Sequence, residues 1–208
     1  MTMLEIGPND GLYYEYTAPS RDGAYTYVFS DLQKILVHVR PPRTVLVGLS
    51  IGGLYAAKAY LNGADVAGLV LVNTLRKITP RLAWMNDATL VAMKVGGPDL
   101  MKERFQEAHR DEFLKPETQY TPLPANTGAY NLLTWMGKTD WDIDWSQLQC
   151  PVLVVMGTQD RIFYDPPIVA ELFAKLPNAR RIDVPEAGHM LPAEMPDAFL
   201  AALSDFPG

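Results

Sequence analysis

Short apolar runs alternate with amphipathic segments along much of the chain. An uninterrupted run of apolar and β-branched residues predicts a buried strand, and apolar residues that recur every three to four positions predict a helix. The predicted strands are 24–29, 44–49, 66–73, 151–157 and 180–185, and the predicted helices are 31–39, 54–63, 168–175 and 193–203. This order favours an α/β fold, with a mostly parallel sheet flanked by helices on both faces.

The segment 74–145 interrupts the alternation. It holds all four tryptophans of the chain, and its apolar patterns are helical. We interpret it as a helical cap inserted into an α/β core formed by 1–73 and 146–208. Aromatic side chains suit the wall of an apolar pocket, so Trp84 and Trp135 are candidate substrate-binding residues. The alternative is that these side chains pack the interior of the cap.

Composition narrows the classes of partner. The net charge is −6, and the Lys and Arg residues are scattered along the chain, which disfavours nucleic acid and anionic membranes and leaves a small molecule as the expected ligand. No apolar run approaches the ~18 residues of a membrane span, and the first residues lack the features of a secretory signal. The single cysteine, Cys150, cannot form an internal disulfide. These features favour a cytoplasmic location.

A serine flanked by glycines lies where a predicted strand passes into a helix. Gly48, Ser50 and Gly52 form a G-x-S-x-G motif, which in this context is typical of a nucleophile elbow. We expect that a Cβ at either glycine would collide with the neighbouring strand or helix. The sharp turn would raise Ser50 above the sheet, and the Ile51 N–H at the start of the helix would stabilise negative charge on a substrate oxygen.

A serine nucleophile needs a base, and the chain has three histidines. His38 lies in a short helix and His109 in a charged helical run, so both are expected to be packed or surface residues. His189 follows a predicted strand and a glycine turn, at the edge where catalytic residues of open parallel sheets lie. We therefore predict that His189 is the base.

The base in turn needs a carboxylate that orients it. Asp160 follows a buried strand, whereas Asp165 precedes two prolines and is expected to cap a helix. Glu186 is too close to His189 in the chain to be preferred. The predicted catalytic residues are then Ser50, Asp160 and His189, in the order that accompanies the nucleophile elbow.

With these residues in place, the chain from Asp31 onward resembles the α/β-hydrolase superfamily, in its esterase and lactonase branch. The resemblance rests on the stretches "GLSIGG", "AGLVLVN", "PVLVVMGTQDRIF" and "EAGHMLPAEMPDAF". It implies a cap between Asn73 and Trp145 and an ester, lactone or related acyl substrate. No cofactor is implied, and no metal, since no two histidines have ligand spacing.

The chain departs from the family at its N-terminal side. The predicted strand 24–29 runs almost directly into helix 31–39, where the family has an oxyanion loop and a further βα unit. A segment of ~30 residues is therefore expected to be absent. The second oxyanion donor would come from Ser30 or Asp31, and an exposed sheet edge could promote homo-oligomer formation.

Two functions from different classes fit these features. The first is a serine hydrolase that acts through an acyl-enzyme intermediate. The second is a catalytically impaired relic of the hydrolase fold that binds ligands or acts as a scaffold, which the missing segment makes plausible. The complete set of Ser50, Asp160 and His189 favours the first.

Overall fold

Two β-sheets occur in the described residues of this computed structural model, which are 2–7, 10–14, 32–38, 43–91, 141–204 and 206. The first sheet is an antiparallel hairpin of β1 (Thr2–Gly7) and β2 (Asp10–Tyr14). The second is parallel and has four strands in the order β3 (Val45–Leu49), β4 (Gly68–Val72), β5 (Val152–Gly157) and β6 (Ala179–Val184). The parallel sheet confirms the predicted α/β fold class.

Helices connect and follow the strands of the parallel sheet. They are α1 (32–38), α2 (Ile51–Leu61), α3 (Pro80–Val91), α4 (Pro166–Phe173), α5 (Leu191–Glu194) and α6 (Pro196–Leu203), with a 3-10 turn at Trp145–Gln147. A parallel pair of strands requires a crossover, which α2 supplies between β3 and β4 and α4 supplies between β5 and β6. Within the described ranges, no helix is both long and apolar enough to cross a membrane.

The predicted helix 193–203 is wrong as a single element. The structure divides it into α5 and α6 at Met195, whose backbone has φ −138° and ψ 62°. Pro196 follows directly, and the proline ring disfavours the helical conformation for the residue before it. Helix α6 therefore restarts at the proline, where the missing N–H is tolerated.

Strands β4 and β5 form the centre of the core. Every residue of both strands is buried, because alternate side chains enter apolar clusters on the two faces of the sheet. One cluster includes helices α2 and α4, and the other includes α5 and α6. Burial on both faces explains why these strands are continuous apolar runs in the sequence.

Two tryptophans from the end of the predicted cap belong to this core. Trp141 and Trp145 are buried in the cluster with α2, and the Trp141 ring packs edge-on against Tyr55 with 4.7 Å between ring centroids. The residues at this end of 74–145 therefore pack against the α/β core. The predicted strand 24–29, His109 and residues 92–140 lie outside the described residues, so the boundaries of the cap stay a prediction.

Candidate active site

Ser50 lies at the junction of β3 and α2 in a strained backbone conformation. Its φ is 57° and its ψ is −125°, a region that non-glycine residues rarely occupy. The Ser50 N–H donates a hydrogen bond of 2.8 Å to the carbonyl oxygen of Val72 at the end of β4. Such strain persists only where the surroundings impose it, and it is concentrated at functional sites.

Close packing excludes a Cβ at two glycines of this turn, but only one of them, Gly48, was among the two that the sequence predicted. A Cβ at Gly48 would overlap the backbone of Gly53, and a Cβ at Gly53 would overlap the Thr74 side chain. A Cβ at Gly52 would meet no atom of the described residues within 4 Å. The prediction that a Cβ at Gly52 would collide is therefore wrong, and Gly53, outside the five-residue motif, is the second tight position.

The imidazole of His189 is hydrogen-bonded to Asp160. Nδ1 of His189 lies 2.9 Å from Oδ2 of Asp160, and the two residues are only 6% and 4% exposed. Because a carboxylate only accepts, the shared proton belongs to Nδ1, and Nε2 is left as the basic nitrogen. Oδ1 of Asp160 accepts from the N–H groups of Ile162 (2.7 Å) and Phe163 (3.1 Å), which fixes the carboxylate.

The rival carboxylates have other places in the structure. Oδ1 of Asp165 accepts from the N–H of Ile168 at 3.3 Å and caps α4, as the two following prolines predicted. Glu186 is exposed, with φ 65°. Asp160 is thus the carboxylate that contacts the imidazole.

Phe163 lies against the imidazole and beside a cavity. Its ring packs edge-on against His189 with 5.1 Å between centroids, and the guanidinium of the buried Arg76 lies 5.2 Å from the same ring. Phe163 also lines a cavity of about 160 Å³, together with residues that follow β4 and residues at the start of α4. Phe163 is therefore common to the His189 contact and to the cavity, whose lining includes neither Ser50 nor His189.

Asn73 and Thr74, which the sequence analysis did not single out, join the turn at residues 48–53 (the elbow) to the loop at residues 187–190 (the histidine loop). Asn73 is fully buried; its Nδ2 donates to the carbonyl oxygens of Gly188 and His189, both at 2.9 Å, and its Oδ1 accepts from the Gly157 N–H at 2.7 Å. Thr74 Oγ1 donates to the Ser50 carbonyl oxygen at 3.1 Å. The two residues after β4 thus contact both Ser50 and His189.

Glu194 is the third residue missed by the sequence analysis. Its Oε2 accepts from the N–H of Gly188 at 2.7 Å, and its Oε1 accepts from the N–H of Met190 at 2.8 Å. The carboxylate therefore spans the two peptide groups on either side of His189. A Glu in a four-residue helix gives no local sequence signal for such a contact.

The remaining candidate residues have different outcomes. Ile51 begins α2, so its N–H lies at the amino end of that helix, beside Ser50. Trp84 is 62% exposed on α3 and does not line the cavity, and His38 is exposed, as expected for a surface residue. Ser30 and Trp135 lie outside the described residues.

A family model matches nearly the whole chain. Residues 7–202 match the model described as the alpha/beta hydrolase family. The chain belongs to the alpha/beta hydrolase family. No curated protein matches it at a significant level.

Several solved structures of other proteins have a similar fold. An esterase from Exiguobacterium antarcticum is 17% identical, with a TM-score of 0.73, and the match covers 92% of this chain and 76% of that one. A malate-bound thermophilic esterase from Thermogutta terrifontis is 22% identical, with a TM-score of 0.68 and coverage of 94% and 74%. MenH from S. aureus is 19% identical, with a TM-score of 0.68 and coverage of 86% and 74%. At these identities the likeness establishes the fold.

Proposed function

We propose that this hydrolase-family chain is a serine hydrolase that cleaves a small ester, lactone or related acyl substrate through an acyl-enzyme intermediate. The hydrogen bond of 2.9 Å between His189 and Asp160 carries the proposal. With Nδ1 donating to Asp160, Nε2 of the buried imidazole serves as the basic nitrogen. Asn73 bonds to the backbone of His189 and the next residue, Thr74, bonds to the backbone of Ser50, so adjacent residues link the proposed base to the proposed nucleophile.

Each residue has a role in the proposed reaction. Ser50 Oγ attacks the substrate carbonyl carbon while His189 Nε2 accepts the hydroxyl proton. Asp160 keeps the other ring nitrogen protonated and stabilises the imidazolium that forms. His189 then gives the proton to the leaving alcohol, and a water molecule, activated in the same way, hydrolyses the acyl-enzyme.

The start of α2 is the proposed place for the oxyanion. The N–H groups of the first helical turn have no acceptor within their own helix, and the helix dipole favours negative charge there. Ile51 is the proposed first donor, and a donor near Ser30 is the proposed second.

Two variants and a control test this function. Ser50→Ala and His189→Ala should each lower the turnover of short-chain p-nitrophenyl esters by more than ~100-fold, because residues that act as a unit fail together. A fluorophosphonate probe should label the parent on Ser50, as located by mass spectrometry. Ser204→Ala, which removes an exposed hydroxyl at the end of α6, should leave turnover and labelling unchanged.

The same experiment separates the proposed enzyme from a ligand-binding relic. A relic lacks an activated serine, so the parent would neither label nor turn over esters. Ester turnover that survives Ser50→Ala would refute the role of Ser50.

A further inference from the structure

His189 is held through its backbone as well as through its ring. Asn73 donates to the carbonyl oxygens of Gly188 and His189, and Glu194 accepts from the N–H groups of Gly188 and Met190. Four polar groups of consecutive peptide units are thus bonded to two side chains, one from the residue after β4 and one from α5. A loop held at four points has little freedom to shift.

The partners of Asn73 determine its orientation. Gly157 offers an N–H, and Gly188 and His189 offer carbonyl oxygens, so only one placement of the amide satisfies all three. Both amide hydrogens and the amide oxygen are engaged in a fully buried site. The backbone φ of Asn73 is 47°, a conformation that Asn adopts more readily than most residues.

The position of Asn73 at the end of β4 links the loop around His189 to the turn around Ser50. Its backbone N–H donates to Val155 in β5, its predecessor Val72 accepts from the Ser50 N–H, and its successor Thr74 donates to the Ser50 carbonyl. One three-residue segment at the end of β4 therefore sets the places of both the proposed nucleophile and the proposed base. Proton transfer between these groups depends on their separation, and a misplacement of ~1 Å can cost ~100-fold in rate.

We propose that Asn73 and Glu194 are positioning residues that hold His189 for proton transfer with Ser50. The proposal rests on the serine hydrolase function above. Asn73 is the major contributor, because it is fully buried and joins the histidine loop to the elbow. Glu194, which is partly buried, bonds to the N–H groups of the same loop.

Isosteric substitutions test the two residues. Asn73→Asp keeps the shape, the tolerance of positive φ and the acceptor for Gly157, but it loses the two donors. Its kcat and its rate of fluorophosphonate labelling should each fall by ~10–100-fold with KM changed by less than ~3-fold, because the loss is in the transition state. Glu194→Gln should fall less, by ~3–10-fold, because the Gln carbonyl still accepts from one N–H.

Matched controls separate positioning from a general loss of stability. Val70→Ala removes buried volume from β4 and should lower the thermal midpoint while kcat stays within ~2-fold of the parent. Asp197→Asn removes a negative charge from the exposed face of α6 and should leave kcat unchanged. An Asn73→Asp variant with kcat within ~2-fold of the parent, well below its midpoint, would overturn the proposal. If that variant does not fold, a Glu194→Gln variant indistinguishable from Asp197→Asn would overturn it.

A readout independent of turnover distinguishes failure of this proposal from failure of the proposed function. The Nδ1 proton of His189 should give a downfield proton resonance, assigned by its loss in His189→Ala. It should broaden or disappear in Asn73→Asp and persist in Val70→Ala. An unchanged resonance in Asn73→Asp would overturn the positioning of His189 even in a protein with no ester turnover. Ester turnover in Ser50→Ala would refute the serine hydrolase function, and with it the proton transfer to Ser50, while the resonance would still report whether Asn73 holds His189.

Discussion

The elbow at Ser50 and the loop at His189 hold their residues by different physical means. At the elbow, a Cβ at Gly48 would overlap the backbone of Gly53, a Cβ at Gly53 would overlap the Thr74 side chain, and the backbone of Ser50 between them is strained. At the histidine loop, buried side chains bond to the backbone around His189. The elbow requires glycines, which have no Cβ, whereas the histidine loop requires side chains that donate or accept particular hydrogen bonds.

This difference has consequences for substitution. Steric contacts within a short stretch of chain fail when an atom is added, and the cost is large when the displaced atoms belong to the backbone. Hydrogen bonds from distant side chains fail when a donor or acceptor is removed, and the fold can survive while the geometry of the site relaxes. The elbow should therefore respond to insertion of a methyl group and the histidine loop to isosteric changes.

The largest effect should come from adding a methyl group at Gly48. Gly48→Ala should lower the free energy of unfolding by about 3 kcal/mol, the upper end for overpacking, because the overlap is with the backbone of Gly53. Ester turnover should fall by more than ~100-fold, because Ser50 is displaced with the turn. Denaturant titration and steady-state kinetics measure the two effects.

Gly52→Ala is the matched control on the same turn. Its methyl group meets no atom of the described residues, and replacing glycine within a helix by alanine stabilises by up to about 1 kcal/mol. Stability should stay the same or rise, with turnover within ~3-fold of the parent. Equal losses in the two variants would contradict the assignment of the tight contact to Gly48 and Gly53.

The same difference decides what the sequence could predict. The strand, turn and helix around Ser50 are encoded within a few residues, as are the continuous runs of β4 and β5, so pattern and spacing were sufficient. The proline cap at Asp165 is equally local. The division of the last helix before Pro196 was also within reach of the sequence, and so was the hairpin, because the sequence Gly-Pro-Asn-Asp-Gly at 7–11 is rich in turn-forming residue types.

Contacts across the fold lay beyond sequence reasoning. Asn73 is 116 residues from His189, and nothing near Asn73 indicates which backbone groups it meets. The exposure of Trp84 shows the same limit, because an aromatic residue in a helical pattern gives no sign of the face on which it lies. The tight contact at Gly53 depends on Thr74, which comes from the next strand end.

A moderate effect is expected at Thr74, whose hydroxyl bonds to the elbow. Thr74→Val keeps the shape but removes the donor to the Ser50 carbonyl, and a buried acceptor left with poorer partners costs about 1–3 kcal/mol. The Ser50 carbonyl still accepts from the Gly53 N–H at 3.2 Å, so turnover should fall by less than ~5-fold. This loss is smaller than the one expected for Asn73→Asp.

Thr74→Ser is the control, because it keeps the hydroxyl and loses only a methyl group. Its turnover should match that of the parent, with stability measured by denaturant titration alongside. A loss in Thr74→Val as large as in Asn73→Asp would break the comparison, because the elbow would then depend on side-chain hydrogen bonds as much as the histidine loop does.

The smallest effect should come from an ion pair that belongs to neither region. Glu171 on α4 lies 2.6 Å from Lys77 and 3.1 Å from Lys175, and the hydrogen bonds from Lys77 and then Lys175 lower the pKa of Glu171 below its ordinary value. A carboxyl whose pKa is lower in the folded state contributes stability above its unfolded pKa and loses that contribution as the pH falls through the folded value. Exposed pairs of this kind contribute little and are screened by salt.

Glu171→Gln should therefore lower the thermal midpoint slightly at neutral pH. The difference from the parent should shrink as the pH falls below the usual Glu value of about 4.3, and it should also shrink in 1 M salt, where the screening length is ~3 Å. Thermal unfolding of both proteins across this pH range, with and without salt, measures it. A difference that stays constant with pH would mean that Glu171 stabilises the fold through packing and not through its charge. Surface charge would then have no measured place in the ranking below backbone contact and buried hydrogen bond.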